Sequence, residues 1–271
     1  MKQRTMAVLG VGNMAKAVIS GVLSAELPIQ KIVLYDKNVA QYQELPSNGI
    51  FAFADSALQA VSESDVVLLA VKPQNYSELL AEIATLPNHS ERLYISIAAG
   101  ITAEQVSEAL HGAGVIRVLP NVPMLIGYGV SVICENKKVS DEDMRFVDDV
   151  FRSAGSTIMI DESEMNRIIG VTSSSPAYVF RFIQAIYQGA LAQGLPDRAL
   201  LDAICDVVIG SATLLKHSSE SPNELIARVA SKGGTTEQAL LQLTANQFDE
   251  TIAKAMEACT ARADELGKLP G

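Results

Sequence analysis

The sequence predicts an α/β protein, in which an N-terminal Rossmann-type doubly wound sheet is followed by an all-α C-terminal domain. Three observations lead to this prediction. Apolar runs of strand length alternate with helical patterns up to about residue 161, strand signals then stop, and a glycine-rich turn joins the first strand to the first helix. The predicted domains are a dinucleotide-binding domain at 1–161 and a helical dimerisation and substrate domain at 162–271.

The first predicted strand, Met6 to Leu9, leads into the turn G-V-G-N-M-A at residues 10–15, and a helix follows to Ser24. In the pattern G-x-G-x-x-G/A, the first glycine allows a tight turn and the second lets the backbone approach a pyrophosphate at the helix N-terminus. A plain turn between a strand and a helix is the alternative. The order of strand, turn and helix favours a dinucleotide site that includes Gly10, Gly12, Asn13 and Met14.

Further apolar runs predict the rest of a parallel sheet with helices on both faces. These runs are Lys31–Tyr35, Ile50–Phe53, Val66–Val71, Leu93–Ala98 and Val115–Leu119, followed by later strands at Gly129–Cys134 and Thr157–Ile160. Helices are predicted between them, for example at Tyr76–Leu86 and Asp141–Ser153.

The C-terminal part has only helical patterns, at Ser163–Gln193, Leu200–Leu215, Pro222–Ala230, Thr235–Leu243 and Phe248–Leu266. Gly194 is predicted to end one helix and Asp197 to cap the next. Several of these helices are apolar on more than one face. We therefore expect a homodimer or a higher homo-oligomer built through the C-terminal helices.

Composition excludes several classes of function. The net charge of −10 argues against a nucleic acid or an anionic membrane surface as a partner. Cys134, Cys205 and Cys259 are widely spaced, so neither a disulfide framework nor a metal site is predicted. The first apolar run is broken at Gly10 too early for a secretory signal, and we expect a cytoplasmic protein.

Three motifs follow predicted strands, at the sheet edge where ligands bind in open α/β folds. They are V-K-P-Q at 71–74, S-I-A-A-G at 96–100 and R-V-L-P-N-V-P at 117–123. They make candidate cofactor contacts of Val71, Lys72, Pro73, Ala98, Ala99, Gly100 and Asn121. The Arg117 side chain equally fits a structural ion pair and is not assigned to the site.

Two more motifs lie in the helical part, T-S-S-S-P-A-Y at 172–178 and S-K-G-G-T-T at 231–236. In the second, paired glycines free the backbone just before a helix, and Thr235 with Gln238 matches a capping box. Such a loop is either a carboxylate site at a helix N-terminus or a well-capped turn between helices.

Together these motifs resemble the pyrroline-5-carboxylate reductases, in the same order and over nearly the whole chain. The resemblance implies NADH- or NADPH-dependent reduction of 1-pyrroline-5-carboxylate to proline. It places five residues around the substrate carboxylate, with the Thr236 hydroxyl also at the ring nitrogen as the catalytic group: Ser231, Gly233, Gly234, Thr235 and Thr236. An imine is basic enough to arrive protonated, so positioning does most of the work and no strong acid is required.

Cofactor choice depends on the end of the second strand. Asp36 stands where an acidic residue holds the ribose 2′-OH of NAD, whereas the cation of Lys37 could meet the 2′-phosphate of NADP. Asp36 favours NADH, but both cofactors remain open.

The chain departs from the family pattern at three positions. Ser173 and Ser175 replace glycines, and Lys232 replaces a common proline. These departures leave two alternatives open. One is a reductase of another cyclic imino acid or 2-oxo acid on the same scaffold, and the other is a catalytically silent nucleotide-binding regulator.

Overall fold

The computed structural model describes residues 2–25, 27–42, 45, 49–134 and 139–268. The strands are β1 (Arg4–Leu9), β2 (Ile29–Tyr35), β3 (Phe51–Phe53), β4 (Val66–Leu69), β5 (Leu93–Ser96), β6 (Gly114–Leu119), β7 (Gly129–Cys134) and β8 (Gly155–Ile160). The helices are α1 (Asn13–Ser24), α2 (Ala57–Ser62), α3 (Tyr76–Ile83), α4 (Ala103–Ala109), α5 (Asp141–Arg152), α6 (Met165–Ile168), α7 (Ser175–Ala192), α8 (Leu200–His217), α9 (Pro222–Val229), α10 (Thr235–Ala245) and α11 (Phe248–Leu266).

The strands form one sheet in the order β3-β2-β1-β4-β5-β6-β7-β8. The first six strands are parallel and follow the doubly wound order of dinucleotide-binding folds, which confirms the predicted fold class. The β6–β7 pair is antiparallel, and this reversal was not predicted. Only a short turn around Val122–Ile126 joins the two strands, and a parallel return needs a crossover of a dozen or more residues.

The two faces of the sheet have separate apolar cores, as the continuous apolar strands predict. One core packs α1 and α5 on the sheet, through residues such as Val18 and Phe146. The other packs α2, α3 and α4, through Ala60, Leu79 and Val106. Because both faces are covered, every residue of β1 and β4 is buried, and the candidate site lies at the ends of these strands.

The residues group into two compact units. One consists of the chain up to Ser174 together with the chain from Met256 onward, and the other is Ser175–Ala255. The sequence-based boundary lies earlier, between residues 161 and 162. A third apolar cluster explains the difference, because Met165 and Ile169 pack with Leu119 of the sheet and Ala263 of α11.

Two local predictions in the helical part need comment. The long helical pattern from Ser163 is split, and α7 begins at Ser175 with Pro176 in its first turn, where a missing N–H costs nothing. The prediction that Asp197 caps the next helix is wrong. The N-cap of α8 is Ala199, and the Asp197 carboxylate instead accepts a hydrogen bond of 2.6 Å from the Tyr187 hydroxyl.

The described part of the chain shows no disulfide, no membrane-spanning helix and no metal cluster. Cys134 is buried, Cys205 and Cys259 are partly exposed, and none of the three is in a disulfide. Within the described ranges, no helix has the length and apolarity to span a bilayer. The same residues contain no cluster of three His, Cys, Asp or Glu side chains suited to a metal ion.

Candidate active site

The two glycines of the first turn, Gly10 and Gly12, occupy positions that differ in backbone conformation and in the space around them. Gly10 has a φ of 91°, and a Cβ there would lie 2.9 Å from the carbonyl of Ala70 and from the Val71 nitrogen. Gly12 has an ordinary φ of −77°, and a Cβ there would meet nothing within 4 Å. Gly10 therefore lets the turn pass against the end of β4, whereas Gly12 borders open space.

The N-terminus of α1 faces that open space. Its N-cap is Gly12, which offers no side-chain hydrogen bond, and its first turn, which holds Asn13 and Met14, contains no acidic residue. The first N–H groups of the helix thus keep their partial positive charge for an external anion. The turn fits a cofactor pyrophosphate, because an uncapped helix end and an open approach occur together.

Asp36 holds the glycine turn in place. Its carboxylate accepts hydrogen bonds from the backbone N–H of Val11 at 2.7 Å and from that of Asn38 at 2.8 Å. The Asp36 N–H donates to the Tyr42 hydroxyl at 2.5 Å, and burial raises the pKa of Tyr42. The carboxylate predicted at the ribose is therefore fixed at the end of β2, and it connects β2 to the turn after β1.

A cleft of about 370 Å³ lies beside this turn. Six predicted cofactor residues line it: Gly10, Gly12, Asp36, Lys37, Val71 and Lys72. Two glutamates of α3, Glu78 and Glu82, also line the cleft, and the Lys37 ammonium lies 3.6 Å from the Glu78 carboxylate. Sequence reasoning missed both glutamates, although their i, i+4 spacing directly after the V-K-P-Q motif puts them on one helix face.

The V-K-P-Q motif is positioned by Tyr76, the first residue of α3. The Tyr76 hydroxyl donates to the Leu69 carbonyl at 2.7 Å and lies 3.1 Å from the Ser96 hydroxyl. Complete burial raises the pKa of Tyr76, so the phenol stays neutral. This contact joins the ends of β4 and β5, while Pro73 starts a short 3₁₀ turn and the Lys72 side chain is exposed.

The S-I-A-A-G motif packs mainly against protein. Gly100 has a φ of 84°, and a Cβ there would lie 2.6 Å from the Ala263 carbonyl in the last turns of α11. Ala98 is buried and Ala99 is half-buried. Packing against α11 accounts for the glycine, and a cofactor contact by these three residues stays a prediction.

Asn121 and Arg117 support the end of β6 from within. The Asn121 amide donates to the Thr172 carbonyl at 3.0 Å and accepts from the Val130 N–H at 2.9 Å. Arg117 is buried and donates to Glu162 at 2.6 Å and to Asn166 at 2.8 Å, which confirms the ion-pair interpretation. A contact between Asn121 and the cofactor stays a prediction, because both ends of its amide already have protein partners.

The residue after Thr172 carries an unexplained hydroxyl. The Ser173 Oγ atom is buried and has no hydrogen-bond partner among the described residues. Ser175, the second serine at a family glycine position, is the first residue of α7.

The S-K-G-G-T-T loop lies in the second unit. Its backbone requires glycine, as predicted, but the helix that follows it is not capped by the predicted residues. Gly233 has a φ of 74°, and a Cβ on Gly234 would lie 2.6 Å from the Ser231 hydroxyl. The predicted capping box of Thr235 with Gln238 is wrong, because the N-cap of α10 is Gly234 and Thr235 already lies inside the helix.

Glu237, and not the predicted Gln238, accepts a backbone N–H at the start of α10. Its carboxylate accepts the Gly233 N–H at 2.8 Å, so this loop presents a backbone donor to a carboxylate. Thr236 is half-buried in the first turn of α10, whose N-cap residue Gly234 makes no side-chain hydrogen bond. The helix N-terminus fits an anion, whereas Glu237 adds a negative charge to the same turn and occupies the Gly233 N–H. The substrate contacts of Ser231, Gly233, Gly234, Thr235 and Thr236 stay predictions.

The sheet order, the uncapped α1 and the lined cleft define a dinucleotide-binding oxidoreductase fold. Residues 5–100 match the family described as NADP oxidoreductase, coenzyme F420-dependent, and residues 162–266 match the one described as pyrroline-5-carboxylate reductase dimerisation. The pyrroline-5-carboxylate reductase of Corynebacterium melassecola is 35% identical over 97% of this chain and 99% of its own. That of Escherichia coli K12 is 33% identical over 98% and 99%.

The chain belongs to the pyrroline-5-carboxylate reductase family, which confirms the resemblance found in the sequence. Among solved structures, the Plasmodium falciparum pyrroline carboxylate reductase with NADP bound has a TM-score of 0.87 at 26% identity, and the match covers 99% of this chain and 100% of that one.

Proposed function

We propose that the protein reduces 1-pyrroline-5-carboxylate to L-proline with NADPH or NADH, the last step of proline biosynthesis. The observation that carries this proposal is the full-length relationship to proteins named pyrroline-5-carboxylate reductase. The cofactor cleft at the glycine turn and the start of α10 after paired glycines support it, because the reaction needs a dinucleotide and a small carboxylate.

The chain's own contribution is binding and orientation. The cleft lined by Gly10, Gly12 and Asp36 would hold a nicotinamide cofactor, which when bound would supply a hydride to the imine carbon. Backbone N–H groups of the 231–236 loop hold the substrate carboxylate at the start of α10. The Thr236 hydroxyl accepts the N–H of the protonated ring nitrogen and fixes the ring, so that the reacting carbon faces the cofactor.

No strong acid is needed in this scheme. The substrate imine is protonated before reduction, so the product amine keeps the proton that the substrate brought. The three histidines of the chain have no part in it, since His89, His111 and His217 lie in a connector or near helix ends. Orientation alone therefore makes Thr236 important for turnover.

The oligomer and the compartment belong to the same proposal. We infer a homodimer or larger homo-oligomer through the C-terminal helices, supported by the dimerisation family match at 162–266. Because Cys134, Cys205 and Cys259 are not in disulfides, they fit a reducing compartment such as the cytoplasm.

The test follows the absorbance of NADPH and NADH with purified protein and 1-pyrroline-5-carboxylate, using wild type, Thr236→Ala and Thr236→Ser. We expect Thr236→Ala to lower kcat/KM by about 100-fold, since one positioned group contributes on this scale. Thr236→Ser keeps the hydroxyl and should retain most of the activity.

Two results would contradict the proposal. If the protein binds NADPH or NADH but does not oxidise it when 1-pyrroline-5-carboxylate is added, the proposed reaction is wrong. The protein would then be a nucleotide-binding regulator or a reductase of another substrate. Equal activity of Thr236→Ala and wild type would retain the reaction but remove Thr236 from it.

A further inference from the structure

The cofactor cleft is lined by more acidic than basic side chains. The cations that line the cleft in the described part of the chain are Lys37 and Lys72, and the acids are Asp36, Glu78 and Glu82. Lys37 directly follows Asp36, where a cation would otherwise meet a 2′-phosphate.

Asp36 cannot easily leave this position. Its two carboxylate oxygens hold the N–H groups of Val11 and Asn38, and Val11 lies between the two glycines of the turn. Moving the carboxylate away from an incoming anion would release the glycine turn. A fixed carboxylate accepts a ribose hydroxyl readily and repels a phosphate at the same place.

Lys37 is not fully available to neutralise the Asp36 carboxylate, because Glu78 lies across the cleft from Lys37. The Lys37 ammonium is 3.6 Å from the Glu78 carboxylate, and Glu82 stands one helical turn further along α3. Both partners of the ion pair are largely exposed, so the pair adds little to stability. Its importance lies in the sign of the local field, where the charge of Glu78 cancels that of Lys37.

We propose that Glu78 is a specificity-determining residue, which cancels the charge of Lys37 and makes the cleft bind NADH more tightly than NADPH. The inference rests on the proposed function, since it assumes that the cleft holds the cofactor of that reaction. It goes further by assigning the choice between the two cofactors to a residue of α3, outside the β2 end.

The experiment titrates wild type, Glu78→Gln and the double variant Glu78→Gln/Lys37→Ala with NADH and NADPH, without substrate, and follows cofactor fluorescence. We expect tighter binding of NADH by wild type, and a ratio of the two dissociation constants that shifts toward NADPH by about three- to ten-fold in Glu78→Gln. The double variant should lose that gain. Glu108→Gln removes an exposed glutamate of α4 outside the cleft and serves as the charge-matched control.

Salt gives an independent readout. Raising the ionic strength should narrow the wild-type preference, because screening weakens repulsion of the phosphate. Equal or tighter binding of NADPH by wild type, or an unchanged ratio in Glu78→Gln, would overturn the inference. Titration needs no turnover, so failure to reduce 1-pyrroline-5-carboxylate would contradict the proposed function alone.

Discussion

At the scale of single residues, we expect Gly10 to matter mainly for the stability of the fold and Gly12 mainly for cofactor binding. Gly10→Ala should destabilise the protein by about 2–4 kcal/mol, because it combines a left-handed φ with a clash against the β4 end. Gly12→Ala should cost only about 0.5–1 kcal/mol, the effect of a poorer N-cap, yet weaken cofactor binding more than ten-fold by filling the open approach. Thermal unfolding and cofactor titration of both variants check this, and normal cofactor affinity in Gly12→Ala would contradict it.

Cys134 provides a second prediction for a single residue. Burial, together with a hydrogen bond from its thiol to Glu162, raises the pKa of Cys134 to about 12. At pH 8 only about one thiol in 10⁴ is ionised, so the folded protein should resist alkylation at this position. Iodoacetamide labelling followed by mass spectrometry checks this, with the urea-unfolded protein as the control. Rapid labelling of Cys134 in the native state would be the contrary result.

Which residues were predictable depends on how far apart the interacting groups lie in the chain. Local patterns predicted the glycine turn and placed Asp36 at the β2 end. The bond from Val11 to Asp36 spans 25 residues, and the approach of Glu78 to Lys37 depends on how α3 packs on the sheet. Neither leaves a pattern in the sequence, since only the folded sheet brings these groups together.

At the scale of elements, Arg117 joins β6 to the segment that follows β8. Its side chain is 1% exposed, so loss of its carboxylate partner would leave a buried charge without compensation. We expect Glu162→Gln to lower the free energy of unfolding by about 2–3 kcal/mol. Urea denaturation measures this. The control is Glu265→Gln, which breaks the exposed pair with Arg262 and should change the free energy of unfolding by less than about 0.5 kcal/mol. Equal losses of stability in the two variants would show that burial of Arg117 does not matter.

The strands were predicted well and the helix starts less well, for a physical reason. Buried strands are apolar throughout, so the sequence marks them directly. A helix start depends on competition between nearby side chains, and Glu237 at Gly233 prevailed over the Thr235–Gln238 pair. The antiparallel β7 escaped prediction because residue patterns specify a strand but not its direction.

At the scale of the whole molecule, the second unit exposes many large apolar side chains. In α8 only Ile204 is buried, while Val207 and Ile209 are each more than 60% exposed. Surfaces of this kind mark interfaces, in agreement with the predicted homo-oligomer.

Ile209→Glu tests that interface. A glutamate there would place a charge in an apolar contact, and we expect a smaller species at micromolar concentration. Light scattering coupled to size exclusion measures the mass, and Ser62→Glu on the exposed side of α2 is the control. A wild-type protein that is monomeric at all concentrations would refute the interface.

The return of the last helix to the first unit has a consequence for synthesis. The chain leaves this unit at Ser174 and comes back at Met256, where α11 covers Gly100 and the cluster around Leu119. A ribosome therefore releases β1–β8 well before the end of α11, which packs against Gly100 and this cluster, has been made. Until α11 emerges, the nascent sheet leaves an apolar surface uncovered, and in the cell a chaperone has its longest opportunity to bind there.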